Sequence, residues 1–432
     1  MRPQPLISPS FLLAQVIALV LFFAFTNLRG PITTAGPSVP RDTSKPGDTP
    51  SPSPGVIIEP DTTLTERRPG PLSHKRLFEK DGKMWGHLDN QWVASLSLDM
   101  RLQEITDRHF KRSRAALGAL VMMEIDTGRV IGLSEYINSD HPVTRRLDLK
   151  EDVHLGLRAL APSAGVFRLV SSAALLEAGL NPREQHCYTK VNGSEITSNH
   201  IENRNPGPCG TMSEAFINTD LGYFTFTTQK LLKSESLKRA ALRLGFDRHL
   251  PYFGMPYELS KAHIPSAEIP RARAALGLQS SRLSALHAAM IAATIAKGGA
   301  LIRPQVVDFI ESQSGERRDT PDLGQLKNSG LSDDIARQLR QLLRDSMRDT
   351  EVNKVFQEWP SALSGYRVAG SASARTYLKP NFMRYTWFVG MAPAERPRWA
   401  FAVMVLNHEQ WYVRAFDIAH RVLRDYFALL AR

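Results

Sequence analysis

Cysteine is almost absent from this sequence, which has two among its 432 residues. So few thiols exclude a cysteine-rich metal site, and the neighbouring His186 and His200 lack the spacing of metal ligands. We therefore predict no metal and no cofactor. Internal repeats are also absent. Apolar residues are not scarce, since hydrophobic types make up 42% of the chain, an ordinary share that excludes disorder throughout.

Large apolar side chains are rare between Gly30 and Leu72, where Pro, Ser, Thr, Asp and Gly predominate. Such a segment cannot bury enough surface to fold, and its prolines favour extended polyproline II conformations. At about 3.1 Å per residue it spans on the order of 100 Å when extended. We predict a disordered tether over residues 29–84 and a folded domain over residues 85–432.

Before the tether, a dense apolar run covers Phe11–Phe25 and is broken only by Gln15. With its apolar flanks the run approaches the length of a membrane span, and no convincing signal-peptidase site follows it. Residues 1–28 are therefore predicted to be a short cytoplasmic stub and an uncleaved transmembrane signal anchor. The rest of the chain is then expected to be exported across the cytoplasmic membrane.

The charge balance is basic, with 54 Lys and Arg against 43 Asp and Glu and a formal net charge of +11. This balance suits an anionic partner such as phospholipid headgroups or an acidic polymer. A basic surface that only aids solubility explains it equally well. Nucleic acid is not predicted as a partner, because no segment resembles a nucleic-acid-binding module and the N-terminus predicts export.

The two cysteines, Cys187 and Cys209, lie on either side of a loop rich in Asn, Gly and Pro. In an exported domain they are predicted to form one disulfide bond. A pair of free, buried thiols is the alternative.

Hydrophobic periodicity predicts strands early and late in the domain, at Gly118–Ile125, Tyr385–Gly390 and Trp399–Leu406. Helices lie between them and at the end, and capping signals mark helix starts at Asp99 and Thr211. One sheet must then take strands from both ends of the domain. The sequence predicts an α+β fold with an inserted helical subdomain.

The segment Ala161–Pro182 (A-P-S-A-G-V-F-R-L-V-S-S-A-A-L-L-E-A-G-L-N-P) predicts a loop followed by an apolar helix. The helix begins at about Phe167, and Gly179 stands just past its end. The segment resembles the nucleophile helix of the penicillin-binding protein transpeptidase family, in which P-G-S-T-F-K opens a helix ending in L-E-A-G. Four further segments resemble the same family, in its order: Ser97–Gln103, Val121–Val130, Ile295–Pro304 and Trp387–Pro393.

The resemblance covers about residues 92–432. It implies the penicillin-binding transpeptidase and β-lactamase-like fold, an antiparallel sheet flanked by helices. In that family three motifs build an acyl-transfer site: S-x-x-K supplies a serine nucleophile and a lysine base, S-x-N a hydroxyl and an amide, and K-[ST]-G contacts to the substrate carboxylate. None of the three motifs occurs anywhere in this chain.

At the matching positions of the first motif, Gly165 stands where the nucleophile belongs and Arg168 where the lysine belongs. Glycine has no nucleophile, and arginine stays protonated and cannot act as a general base. In the second, the segment Ala215–Phe224 places Thr219 at the serine position and Leu221 at the asparagine position.

The third motif departs as well. The segment Val368–Ala374 (V-A-G-S-A-S-A) resembles V-A-G-K-T-G-T, and the K-T-G triplet is replaced by Ser371, Ala372 and Ser373. Because the sequence departs from all three motifs, misalignment of a single motif does not explain their absence.

These departures predict a pseudoenzyme, with no catalytic residue, on a membrane-anchored and exported penicillin-binding-protein-like domain. It is expected to pass once through the bacterial inner membrane, with its domain in the periplasm, and to bind peptidoglycan, its precursors or cell-wall synthesis proteins. The candidate ligand-binding residues, for an anionic peptide terminus, are Arg168, Thr219, Ser371 and Ser373. That these side chains merely fill a closed cleft is the equal alternative.

Two other functions stay open. One is an active D,D-transpeptidase or carboxypeptidase with a non-standard nucleophile, although Ser163, Ser171 and Ser172 have no suitable base beside them in sequence. The other is an envelope adaptor domain, unrelated to peptidoglycan, that uses the same fold.

Overall fold

The structure, a computed structural model, describes most of the chain from Leu72 to Arg432. The described residues are 72–89, 91–147, 149, 153–193, 195–249, 254–278, 281–319, 325–359, 368–378, 383–407 and 413–432. At residues 146, 325–329, 350, 369, 371–378 and 383 the backbone alone is described. The predicted anchor lies outside the described residues, and so does the predicted tether up to residue 71.

The described residues form both α-helices and β-strands. The α-helices α1 to α11 are Met100–Lys111, Phe167–Glu177, Ser198–Ile201, Met212–Ile217, Leu221–Leu231, Ser234–Arg243, Glu268–Ala275, Ala285–Ala296, Asp333–Ser346, Thr350–Gln357 and Ala415–Leu430. The strands β1 to β17 are Leu77–Lys80, Lys83–His87, Trp92–Leu96, Leu117–Glu124, Val130–Ile137, Ala161–Pro162, His186–Cys187, Cys209–Gly210, Lys261–Ala262, Ser281–Leu283, Ala300–Ile302, Val307–Ser312, Arg317–Asp319, Gln325–Gly330, Ala369–Leu378, Met383–Ala392 and Trp399–Asn407.

The main sheet has five strands in the order β15-β16-β17-β4-β5, and every neighbouring pair is antiparallel. Its register sets Trp387 opposite Met404 and Phe401 opposite Met122. The two early strands thus complete a sheet begun by three late ones. This arrangement confirms the predicted α+β fold with sheet strands from both ends of the domain.

Each face of the main sheet is covered by helices, because successive side chains of a strand point to opposite faces. On β4, Ala119 and Val121 join the hydrophobic cluster that contains α2 and α8. Leu120 and Met122 join a second cluster, which contains α1 and α11. The sheet therefore separates a side covered by α2 and α8 from a side covered by α1 and α11.

A second sheet, in the order β1-β2-β3-β12-β13, joins three strands that precede the main sheet along the chain to two strands from the middle of the domain. Its first hairpin, β1 and β2, turns at Asp81 and Gly82, both with positive φ, and Leu72 before it is fully buried. The predicted tether boundary at residue 84 is therefore wrong, since folding begins at least twelve residues earlier. Charged residues in both short strands hide the alternation that predicts a hairpin.

Local signals in the sequence predicted several helix ends. The Asp99 carboxylate caps α1 by accepting hydrogen bonds from the Arg101 and Leu102 amides, as predicted. Thr211 and Glu214 form the predicted capping box at the start of α4. Within the described residues, none of the helices has the length and apolar character that crossing a membrane requires.

Candidate functional site

The segment before α2 forms a tight 3₁₀ turn over Ala164–Val166. Ala164 has a φ of 45°, a left-handed conformation that costs an alanine on the order of 1 kcal/mol. Its amide donates to the carbonyl of Gly277 at 3.1 Å, and a Cβ on Gly277 would lie 2.1 Å from the Ala164 carbonyl oxygen. Only glycine fits at that position, so this close contact fixes the turn.

The same turn is held from two further sides. The Ser163 amide donates to the carbonyl of Ser281 at 3.2 Å, and the two hydroxyls form a short hydrogen bond. On the sheet side, the indole Nε1 of Trp387 donates to the Pro162 carbonyl at 2.9 Å. The turn therefore has a fixed position against β10 and β16.

The strand that carries the third motif positions lies against this turn. In the β15–β16 ladder, Ser371 is opposite Val389 and Ser373 is opposite Trp387. The backbone thus brings the first and third motif positions side by side, as the resemblance implied.

Gly165 is the exposed point of the turn. It is partly accessible to solvent, whereas the residues on both sides of it, Ala161–Ala164 and Val166–Leu175, are buried. The position at which the resemblance places a nucleophile therefore reaches solvent but carries no side chain.

Arg168, one helical turn further on, is fully buried. Its Nη1 donates to the Phe216 carbonyl at 3.2 Å and its Nη2 to the Thr219 hydroxyl at 3.4 Å. The guanidinium carbon lies 5.2 Å from the ring centre of Phe216 and 6.0 Å from that of Phe224. Two hydrogen bonds and two aromatic faces thus hold the cation, and no carboxylate among the described residues pairs with it.

Burial lowers the pKa of Arg168 to about 10, because desolvation disfavours the charged form. The side chain still carries its proton at neutral pH. It cannot accept a proton there, so the geometry gives the turn no general base at the lysine position.

The second motif positions lie where α5 begins. Thr219 has a φ of 55°, and the following Asp220 caps α5 by accepting from the Gly222 and Tyr223 amides. Leu221 is the first residue of the helix, and its side chain packs against the hydrophobic core. The structure therefore brings Thr219 to Arg168 but puts an apolar side chain where the resemblance expects an amide.

A disulfide bond joins Cys187 to Cys209, as predicted, and links β7 to β8. The next residue, Tyr188, donates its hydroxyl to a carboxylate oxygen of Asp220 at 2.7 Å. A Cβ on Gly222 would lie 2.6 Å from the Thr189 carbonyl oxygen, so the disulfide loop sits directly on the start of α5. This loop therefore braces the segment that presents Thr219.

The sequence did not identify the residues that surround Arg168. Phe216 and Phe224 lie in the segment that was matched to the second motif, and an aromatic pair flanking a helix start was the available signal. Tyr188 stands next to a cysteine whose pairing was predicted. Their contacts join residues 30 or more apart in sequence, which no periodicity reports.

Comparison with protein families places residues 118–426 in the family described as the penicillin binding protein transpeptidase domain. Among curated proteins, the peptidoglycan D,D-transpeptidase PbpA of Mycolicibacterium smegmatis is 26% identical over 325 residues, which is 67% of this chain and 61% of that protein. The PbpA of Mycobacterium tuberculosis is 26% identical over 319 residues, 67% of this chain and 62% of its own. The chain thus spans about three fifths of the length of these relatives.

Solved structures show the same fold. Penicillin-binding protein A from M. tuberculosis, as an imipenem acyl-enzyme complex, matches with a TM-score of 0.63 at 20% identity, covering 77% of this chain and 79% of that one. The D,D-transpeptidase domain of a peptidoglycan glycosyltransferase from Eggerthella lenta matches with a TM-score of 0.62 at 20% identity, covering 78% and 83%.

Proposed function

Because the chain belongs to the penicillin-binding protein transpeptidase domain family, we propose that it is a member without acyl-transfer chemistry. It acts by binding in peptidoglycan synthesis or cell-wall assembly, as an exported protein held by an N-terminal membrane anchor. The observation that carries this proposal is the pair Gly165 and Arg168, a partly accessible position without a nucleophile beside a buried arginine that keeps its proton.

No nearby serine replaces the missing nucleophile. Ser163, Ser171 and Ser172 are all fully buried. The Ser163 hydroxyl is bonded to that of Ser281, and the Ser171 hydroxyl donates to the Ala275 carbonyl at 2.5 Å. A nucleophile must be able to reach its substrate and must have a base within hydrogen-bond distance. These three serines lack both access to a substrate and such a base. These three serines therefore do not support the active-enzyme alternative.

Thr219 is the residue best placed to contact a ligand. It is partly exposed, and its oxygen accepts a hydrogen bond from the cationic Arg168. The threonine proton is then free to donate outward, and the charge behind it strengthens a hydrogen bond to an anion. The buried arginine would thus act on a bound ligand through Thr219. An anionic peptide terminus is the ligand that this arrangement suits, and wall peptides are proposed because the named relatives are peptidoglycan D,D-transpeptidases.

The test combines covalent labelling with binding. The purified full chain is incubated with fluorescent penicillin, then denatured, and binding of muropeptides is measured separately. We expect no denaturation-resistant label and measurable muropeptide binding. Thr219→Val removes the hydroxyl and keeps the shape, so it should weaken binding by about tenfold. Thr127→Val, at the exposed β4–β5 turn, is the matched control and should leave binding unchanged.

Two outcomes would change the proposal. A stoichiometric label that survives denaturation would show acyl transfer and overturn the pseudoenzyme. Absence of muropeptide binding, together with a specific complex between the purified chain and an envelope protein, would instead support the adaptor function.

A further inference from the structure

The disulfide bond between Cys187 and Cys209 lies at the surface of the domain. These are the only two cysteines of the chain, and both are exposed. They close the segment 188–208, which we call the disulfide loop. Among the described residues of this loop only Tyr188 and Ile196 are buried, so the loop has little hydrophobic anchorage of its own. The disulfide is therefore a principal constraint on the two ends of the loop.

The non-covalent contacts beside the disulfide join the two ends of the loop mainly to each other. The Tyr188 amide donates to the Pro208 carbonyl at 3.0 Å, and the Gly207 amide donates to the Tyr188 carbonyl at 3.1 Å. The strands β7 and β8 add only two residue pairs to this ladder. Helix α3, in the middle of the loop, lies against α5 and α7. Opening the disulfide would therefore loosen the ends of the loop while its middle stays on the domain.

One end of the disulfide loop holds the segment that presents Thr219. The Oδ2 atom of Asp220 accepts a hydrogen bond from the Tyr188 hydroxyl at 2.7 Å. The Oδ1 atom of the same carboxylate accepts from two amides in the first turn of α5. The Tyr188 ring also meets that of Tyr223 edge to face, with 5.8 Å between the ring centres. Tyr188, which follows the disulfide directly, thus orients the carboxylate that caps α5.

Thr219 depends on such support because its backbone is left-handed. A β-branched residue adopts a φ of 55° only where the surrounding contacts hold it there. Loosening the carboxylate of Asp220 would therefore let Thr219 relax towards an ordinary conformation and away from Arg168, which donates to its hydroxyl. The state of an exposed disulfide is thus linked, through two side chains, to the residue best placed to contact a ligand.

We propose that thiol–disulfide exchange at Cys187 and Cys209 controls the order of residues 219–223 and, through it, ligand binding at Thr219. Exposure favours this exchange, because exposed disulfides are the more easily reduced ones. The effect on ligand binding rests on the proposed function, whereas the effect on order does not.

The reductant in this exchange is a dithiol. One of its thiolates attacks a sulfur of the disulfide, forms a mixed disulfide with one cysteine and releases the other cysteine as a thiolate. The second thiolate of the reductant then attacks the mixed disulfide and releases the remaining cysteine. The dithiol ends as a disulfide, and two electrons and two protons have passed to the two cysteines.

The first test measures order without any ligand. The full chain is treated with dithiothreitol, thiol titration verifies that both cysteines are free, and hydrogen exchange with mass spectrometry follows the amides of residues 219–223. Closing a loop of this length shifts an equilibrium by on the order of a hundredfold, so these amides should exchange at least about tenfold faster after reduction. The amides of α11, on the other side of the main sheet, are the internal reference. Oxidised dithiothreitol is the reagent control and should change neither set.

The second test measures binding of muropeptides. Reduction should weaken it by about fivefold, because only a fraction of the reduced chains then present Thr219 correctly. The variant C187S/C209S should bind as weakly as the reduced chain and should not respond to dithiothreitol. Circular dichroism verifies that this variant is folded. Reoxidation of the reduced parent chain, which should restore slow exchange and tight binding, gives the same comparison without a substitution.

Three results would overturn the proposal. Exchange at residues 219–223 that is equal in the oxidised and reduced chains would do so, as would a disulfide that excess dithiothreitol does not open in the folded chain. Faster exchange with unchanged affinity would overturn the control of ligand binding. Faster exchange without muropeptide binding in either redox state would instead support control of order by the disulfide and reject the proposed ligand.

Discussion

Arginines lie on both sides of the main sheet, and the two sides differ in what surrounds the charge. On the side where α2 lies, Arg168 is fully buried and held by a carbonyl, a hydroxyl and two aromatic rings. On the other side, where α1 and α11 lie, Arg108, Arg112 and Arg421 are exposed to water. The buried cation joins two segments of the domain, whereas the exposed ones remain available to a partner.

The buried histidines sharpen this comparison. Burial lowers the pKa of His287 to about 4, and its Nε2 lies 2.8 Å from the Leu244 carbonyl. Burial lowers the pKa of Arg168 as well, but only to about 10. The same desolvation therefore leaves histidine neutral and arginine charged at pH 7, because their ordinary pKa values differ by about six units. At the lysine position of the first motif the buried group is an arginine, so this side chain supplies no general base there.

The largest effect is expected from truncating Arg168. Arg168→Ala leaves a cavity and removes the partner of the Thr219 hydroxyl, so it should lower the free energy of unfolding by about 3–4 kcal/mol. Arg168→Met fills the space without a charge and should stay within about 1 kcal/mol of the parent chain. Urea denaturation followed by far-UV circular dichroism measures both. Equal losses in the two variants would show that the charge itself, and not the packing, stabilises the domain.

The turn before α2 offers the next test. Gly277→Ala places a Cβ against the Ala164 carbonyl at a φ of 69°, so it should cost about 3 kcal/mol of unfolding free energy. Gly179→Ala, at a φ of 86° with nothing within 4 Å of the added Cβ, is the control and should cost about 1 kcal/mol. Urea denaturation of the two variants compares them. Similar costs would contradict a turn fixed by close contact.

Acidification tests the comparison of histidine with arginine. Burial lowers the pKa of His154, His287 and His420 to about 4, below their unfolded value near 6.5. Stability is therefore complete above pH 6.5 and is lost as the pH falls towards 4. At pH 5 each histidine costs up to about 2 kcal/mol. Urea denaturation at a series of pH values should show this loss, and His287→Gln should reduce its slope. An unchanged slope would exclude His287 from the effect.

The smallest expected effect concerns the brace at Thr219. Tyr188→Phe removes the hydrogen bond to Asp220 and should cost about 1 kcal/mol of unfolding free energy. It should also weaken muropeptide binding, because it loosens the segment that presents Thr219. Tyr136→Phe, on the partly exposed end of β5, is the control and should change neither quantity. Isothermal titration calorimetry measures the binding, and a loss of stability with unchanged affinity would show that the Tyr188–Asp220 contact does not affect binding at Thr219.

Local signals carried the sequence reasoning a long way. The capping residue Asp99, the Thr211–Glu214 box and the glycine after α2 each act within a few residues, and all were predicted in place. The main sheet followed from apolar strands at both ends of the domain. The resemblance then fixed which positions meet at the candidate site, and the structure brings Arg168 to Thr219.

Features set by distant contacts were missed. The strand β1 and the start of β2 were assigned to the tether because these strands are short and charged. The burial of Arg168 depends on Phe216, 48 residues away, and no local pattern reports such a contact. Two-residue strands such as β7 and β8 are also too short to show a period.

The central claim is that this transpeptidase-fold domain cannot form an acyl-enzyme. Intact-mass spectrometry of the full chain after prolonged exposure to excess penicillin G tests it most directly. We predict an unchanged protein mass, because Gly165 offers no nucleophile and Arg168 no base. A mass increase of one penicilloyl group per chain would contradict the claim, and peptide mapping of that adduct would identify the nucleophile.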